Sequence, residues 1–137
     1  MSDTNLSQLF GVYYEKIEKF LQFDELNLKD SQMSLPVVRH YWVGRLMFHK
    51  QQIQKLKQTK EKASKVLRQK LEHESPIALS AKTITESVAR NEIILKLDED
   101  IATHELLVEF LTKVESNLRD TQYGMNNLTK IITLETT

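Results

Sequence analysis

Cysteine is absent from the 137 residues, which excludes disulfides, thiolate metal sites and a cysteine nucleophile. Only three glycines and two prolines interrupt the chain, and no Gly-rich loop is present to cradle a nucleotide phosphate. No stretch approaches the roughly 18 consecutive apolar residues of a membrane span. The opening MSDTNLSQLF lacks the basic-then-apolar pattern of a secretory leader. A cytoplasmic protein without membrane contact is expected. Catalytic constellations are also missing. His40, His49, His73 and His104 never stand in an H-E-x-x-H pattern, and Asp98-Glu99-Asp100 has neither the Gly nor the spaced oxygens of a calcium loop. These absences point to a protein that is not an enzyme and needs no metal or cofactor. His49 and His104, at heptad-like positions, read as satisfied interface histidines.

What is present favours helix. Long stretches rich in Ala, Leu, Glu, Lys and Gln predict an all-α fold. From about 5 to 22, Leu6, Leu9, Phe10, Tyr13, Ile17, Phe20 and Leu21 recur at steps of three and four, the mark of one apolar helical face. Residues 23–36 lose that period, and Pro36 disfavours a helical residue before it, so an extended connector is expected up to Val37. A basic long helix is then predicted over 37–74, with Trp42, Leu46, Ile53, Leu56, Ala63, Leu67 and Leu71 on its inner face. Pro76 should end it. Thr83-Ile84-Thr85-Glu86 matches a capping box and opens a second, acidic and apolar long helix over 83–120. After Tyr123-Gly124 a short helix, 124–135, is expected. The two long helices would form an antiparallel hairpin within a single helical domain, flanked by short N- and C-terminal helices.

Near 106–111 the apolar residues cover more than one face, and one neighbour cannot bury two faces. A homo-oligomer is the expected remedy, held by Leu107, Phe110, Leu111, Val114, Leu118, Leu128, Ile131 and Ile132. The alternative is a monomer in which segments 5–22 and 125–134 fold back over that surface.

The charge pattern carries the functional reading. Residues 50–70, KQQIQKLKQTKEKASKVLRQK, hold eight Lys or Arg and one acid, Glu61: a net +7 that leaves −7 for the rest of a chain summing to zero. A solvated helix ordinarily pairs Lys with Glu four residues away. Such a segregated charge suits a polyanion such as nucleic acid, and the charge distribution makes Lys57, Lys62 and Lys65 candidate contacts. The other reading is a non-enzymatic scaffold or assembly protein whose basic helix pairs with an acidic face of a neighbouring subunit.

Leu67-Arg68-Gln69-Lys70-Leu71-Glu72 resembles the Leu-Lys-x-Arg-Leu-Asp motif of the UvsY family, recombination mediators of large tailed phages. Asp24-Glu25-Leu26, Lys29-Asp30-Ser31, Leu35-Pro36 and His40-Tyr41-Trp42 resemble that family's connector into its first long helix, and Ile94-Leu95-Lys96-Leu97-Asp98 its Val-Leu-Lys-Val-Asp. The resemblance implies a factor that binds single-stranded DNA and promotes loading of a RecA-like recombinase onto strand covered by single-strand-binding protein. It also implies a closed homo-oligomeric ring of six or seven subunits joined through C-terminal helices. Arg68 and Lys70 match the two basic positions of the family motif, so the resemblance implies single-stranded DNA contact at both, whereas His73 and Glu74 stand where aromatic residues are common.

Overall fold

The protein is described by a computed structural model covering residues 3–74 and 77–136. Its regular structure there consists of α-helices: α1 (Asp3–Leu21), α2 (Leu28–Glu74), α3 (Ala81–Ala89) and α4 (Glu92–Thr136). The all-helical expectation holds over these residues. No helix among them is long and apolar enough to cross a membrane. Packing divides the chain into two compact units, Met1–Phe48 with Leu107–Thr137, and His49–Leu106.

In the first unit the predicted face of α1 delivers Tyr13 and Ile17 into a core with Leu28, Leu35, Trp42 and Leu46 of α2 and Leu107, Leu111, Val114, Leu118 and Met125 of α4. The Tyr13 and Trp42 rings meet edge to face at 5.3 Å, and the Tyr13 hydroxyl accepts from Arg45 Nε at 2.9 Å and Nη2 at 2.7 Å. Gln32 bonds Thr129 and Arg39 bonds Gln122, so α2 and α4 run in opposite directions within this unit.

Two expectations fail here. Residues 23–36 are not an extended connector, because α2 begins at Leu28 and carries Pro36 in its interior. An interior proline forfeits a backbone hydrogen bond at roughly 3 kcal/mol. Burial of Leu28 and Leu35 returns about 1.5–3 kcal/mol each. Pro36 lies on the solvent side, where the orphaned carbonyl of Gln32 can be hydrated. The start is fixed by Asp24, whose Oδ1 accepts from Leu26 N and Asn27 N, while Asn27 Oδ1 accepts from Asp24 N at 2.7 Å. Nor does Tyr123-Gly124 end a helix. No glycine has a positive φ, and Gly124 instead makes room for a neighbour: a Cβ there would stand 3.0 Å from Phe23 Cζ. The predicted short C-terminal helix is the end of α4.

The second unit has a smaller core, Ile84 and Val88 of α3 and Ile94 of α4, with Ala63, Leu67 and Leu71 of α2 and Leu79 and Leu97 packed against it. The expected helix over 83–120 is divided. Its apolar residues explain the division, since Val88 and Ile94 are six apart, about 120° out of phase on one continuous helix. Asn91 resets the phase by capping α4, its Oδ1 accepting from Ile93 N at 2.9 Å. The N-cap of α3 is Ser80, which accepts from Thr83 N, so the cap lies three residues before the predicted Thr83. The expected break at Pro76 falls outside the described residues.

Along α4 the inward residues step by three and four through Ile94, Leu97, Ile101, His104, Leu107, Leu111, Val114 and Leu118, with two successive steps of three at 101–104–107. That slip shifts the inward face, and it is why 106–111 looks apolar on more than one side. Leu106 is left 66% exposed beside fully buried Leu107. His49 and His104 are both buried, with their Nδ1 atoms 2.8 Å apart.

Candidate nucleic-acid interface

The inner stripe of α2 in the second unit runs Ile53, Leu56, Lys60, Ala63, Leu67, Leu71, at steps of three and four. Its core partners hold it against α3 and α4 and turn the intervening cations outward. Lys57, Lys65 and Arg68, all predicted, line one open groove of about 570 Å³ together with Lys60, Glu61 and Ser64 of α2 and Asp98, Ile101 and Glu105 of α4. Lys70 does not share it. It lines a second hollow of about 410 Å³ with Leu67, Leu71 and Glu74 of α2, Ser87 and Val88 of α3, and Asn91. Lys62 is exposed and lines neither.

The cations differ in how they are held. Lys60 Nζ lies 2.7 Å from Asp98 Oδ1 on the facing helix. Lys65 and Glu61 are a loose pair at 4.0 Å, and Arg68 Nη1 donates to Thr85 Oγ1 at 3.4 Å. Lys57, Lys62 and Lys70 have no ion-pair partner among the described residues. Exposed pairs of this kind are worth about 0–1 kcal/mol, so the face remains a positive surface able to exchange its weak partners for phosphate.

Lys60, Asp98 and Glu105 are not among the contacts predicted from the sequence. Lys60 had a signal, since it fills a slot in the apolar stripe, where a cation needs a facing acid. Trp42 belongs to the core of the first unit, while Tyr41 is exposed beside it. Among the described residues no group of three or more His, Asp or Glu is placed to hold a metal ion.

The structure places most of the residues expected to join subunits inside this chain. Leu107, Leu111, Val114 and Leu118 are buried in this chain's own core, and Phe110, Leu128 and Ile132 pack against it. The cause is α1, which supplies the second neighbour that the two-faced segment required, including Phe10 edge to face with Phe110 at 4.8 Å. Of the eight, only Ile131 remains exposed.

No protein-family model and no curated protein sequence matches the chain. Among solved structures, crystal structures of the recombination mediator protein UvsY of bacteriophage T4 are similar to it. One lattice form gives a TM-score of 0.77 at 14% identity over 95% of this chain and 98% of that chain. Others give 0.74 at 12% identity over 100% and 99%, and 0.69 at 14% over 100% of both. At such identities the likeness is one of backbone architecture: the chain has a UvsY-like fold.

Proposed function

We propose that the chain is a recombination mediator that binds single-stranded DNA along α2 and promotes loading of a RecA-like recombinase onto strand covered by single-strand-binding protein. The observation that carries this reading is the exposed basic face, in which Lys57, Lys62 and Lys70 have no ion-pair partner among the described residues and Lys65 and Arg68 have only weak ones. The UvsY-like fold supports it. In this reading the long helices form an antiparallel hairpin, and the hairpins close into a ring that repeats the basic face and multiplies weak phosphate contacts by avidity. The apolar surface for self-association in this reading includes the exposed Met33, Val37 and Ile131 of the first unit.

The test is a salt-titrated binding assay with a short labelled single strand, run alongside oligomer mass. For single strands the log–log slope is about −0.7 per phosphate contact, so four contacts give about −3. Arg68→Ala/Lys70→Ala should flatten the slope by about 1.4 with the mass unchanged. Unaltered affinity would move the DNA surface elsewhere. An assembly that ignores single strands even at low salt would favour the scaffold reading.

A further inference from the structure

We propose that Asp98 is a built-in competitor for the DNA phosphate, holding Lys60 away from the strand and limiting how tightly the groove binds; this rests on the reading of α2 as a single-strand-binding face. Four cations line that groove, Lys57, Lys60, Lys65 and Arg68, and three acids accompany them, Glu61, Asp98 and Glu105. The acids do not act alike. Glu61 reaches Lys65 only at 4.0 Å, and Glu105 has no ion-pair partner among the described residues. Asp98 Oδ1 sits 2.7 Å from Lys60 Nζ, the separation of a charge-assisted contact to a phosphate oxygen. It therefore occupies the place a backbone phosphate would take.

The two side chains are 40% and 45% exposed. Solvent reaches the pair, which is why it is weak enough to be exchanged and strong enough to compete. The stem of Lys60 fills a position of the inner apolar stripe, which orients its ammonium toward α4, where Asp98 follows the inward-packed Leu97 on the next residue. Register places the acid there: the two inner stripes bring the cation and the acid face to face whenever this unit is folded. A protein that must release its strand to a recombinase gains from such a device. One cation withheld shortens the residence of the strand without removing the surrounding positive field.

Asp98→Asn keeps the shape of the side chain and removes its charge. With a labelled oligothymidylate strand and the full chain, the log–log salt slope should steepen by about 0.7, one added phosphate contact. Affinity at moderate salt should rise about two- to fivefold, the strength of an exposed pair. Glu99→Gln removes the same charge from the neighbouring residue, which does not line the groove, and should leave the slope unchanged. Lys60→Gln/Asp98→Asn should return the slope to the wild-type value. Asp98→Ala repeats the comparison without an amide that could still accept from Lys60, and circular dichroism verifies that each variant keeps its helices. Equal effects of Glu99→Gln and Asp98→Asn would overturn the inference by reducing it to net charge, as would an unchanged slope in Asp98→Asn. Either result leaves strand binding by the wild type standing; failure of the wild type to bind takes down both the inference and the reading beneath it.

Discussion

Acidification should destabilise the second unit through a single pair of side chains. His49 is fully buried and His104 nearly so, and their Nδ1 atoms are 2.8 Å apart, a distance that needs a proton on one nitrogen and a lone pair on the other. A proton on the accepting nitrogen would set two N–H groups against each other. Burial holds the pKa of His104 below its ordinary value, opposed by the carboxylate of Asp100, which Lys96 Nζ holds at 3.2 Å. The sign follows from linkage. With a folded-state pKa below the unfolded value of about 6.5, the unfolded chain binds more protons, so stability is intact above that pH and is lost as the pH falls from there through the folded value. Breaking the hydrogen bond and leaving a buried polar group poorly paired costs about 1–3 kcal/mol. At about 4 °C per kcal/mol for a chain of this size, that is roughly 4–12 °C in Tm. Thermal unfolding followed by circular dichroism between pH 7.5 and 5 measures it. His49→Leu/His104→Leu should flatten the profile, and Asp100→Asn should deepen the acid loss. The same acid loss in the double variant would refute the reasoning.

The core and the glycines supply further tests. Leu111→Ala, at the centre of the first unit's core, should cost about 2–5 kcal/mol by chemical denaturation, because it leaves a cavity between three helices. Gly11→Ala and Gly44→Ala place a Cβ in open space within helices and should each stabilise by about 0.5–1 kcal/mol. Gly124→Ala should gain nothing, since its Cβ presses on Phe23, and Gly124→Val should destabilise. Saturating single strand should slow amide exchange selectively in residues 49–74, with protection approaching about 2.7 kcal/mol at a hundredfold excess over Kd; uniform protection across the first unit would place the strand elsewhere.

Much of this arrangement was legible because apolar spacing is a direct record of burial. The face of α1 gave Tyr13 and Ile17, and the inner residues of α2 gave Trp42, Leu46 and Leu67, all of which pack inward. Local punctuation misled where tertiary burial outweighed it. Pro36 reads as a helix boundary, yet Leu28 and Leu35 continue the stripe of Trp42 and Leu46 at helical intervals across it, and their burial exceeds the proline penalty. Gly124 reads as a stop but marks a close approach. Asn91, an ordinary polar residue in the sequence, caps α4 because the apolar phase changes around it. The eight interface candidates were apolar for a sound reason, but sequence alone does not say whether the second neighbour is another subunit or α1. For the basic face, the sequence revealed which residues are cations, and the place of Lys60 in the apolar stripe set it apart from Lys57, but its partner Asp98 is visible only across the groove.

The two units divide the work of stability and charge. The first buries eleven residues in one core and has ion pairs that follow ordinary helical spacing, such as Lys113 with Glu109. The second buries three in its apolar cluster and carries the segment with a net +7. Three like-charge pairs stand at i, i+3 in that segment, Lys57–Lys60, Lys62–Lys65 and Lys65–Arg68, and neighbours at that spacing repel along a helix. Concentrating them where the core is thin costs most where least stability is held in reserve. Dispersing the same cations along α4 would have relieved that repulsion with no loss of solubility. A bound polyanion would relieve that repulsion, so in the proposed role the unit with the smaller apolar core is the one a strand would stabilise. In the proposed role that coupling would tie the free energy of strand binding to the stability of the second unit, with Asp98 setting how much of it Lys60 contributes.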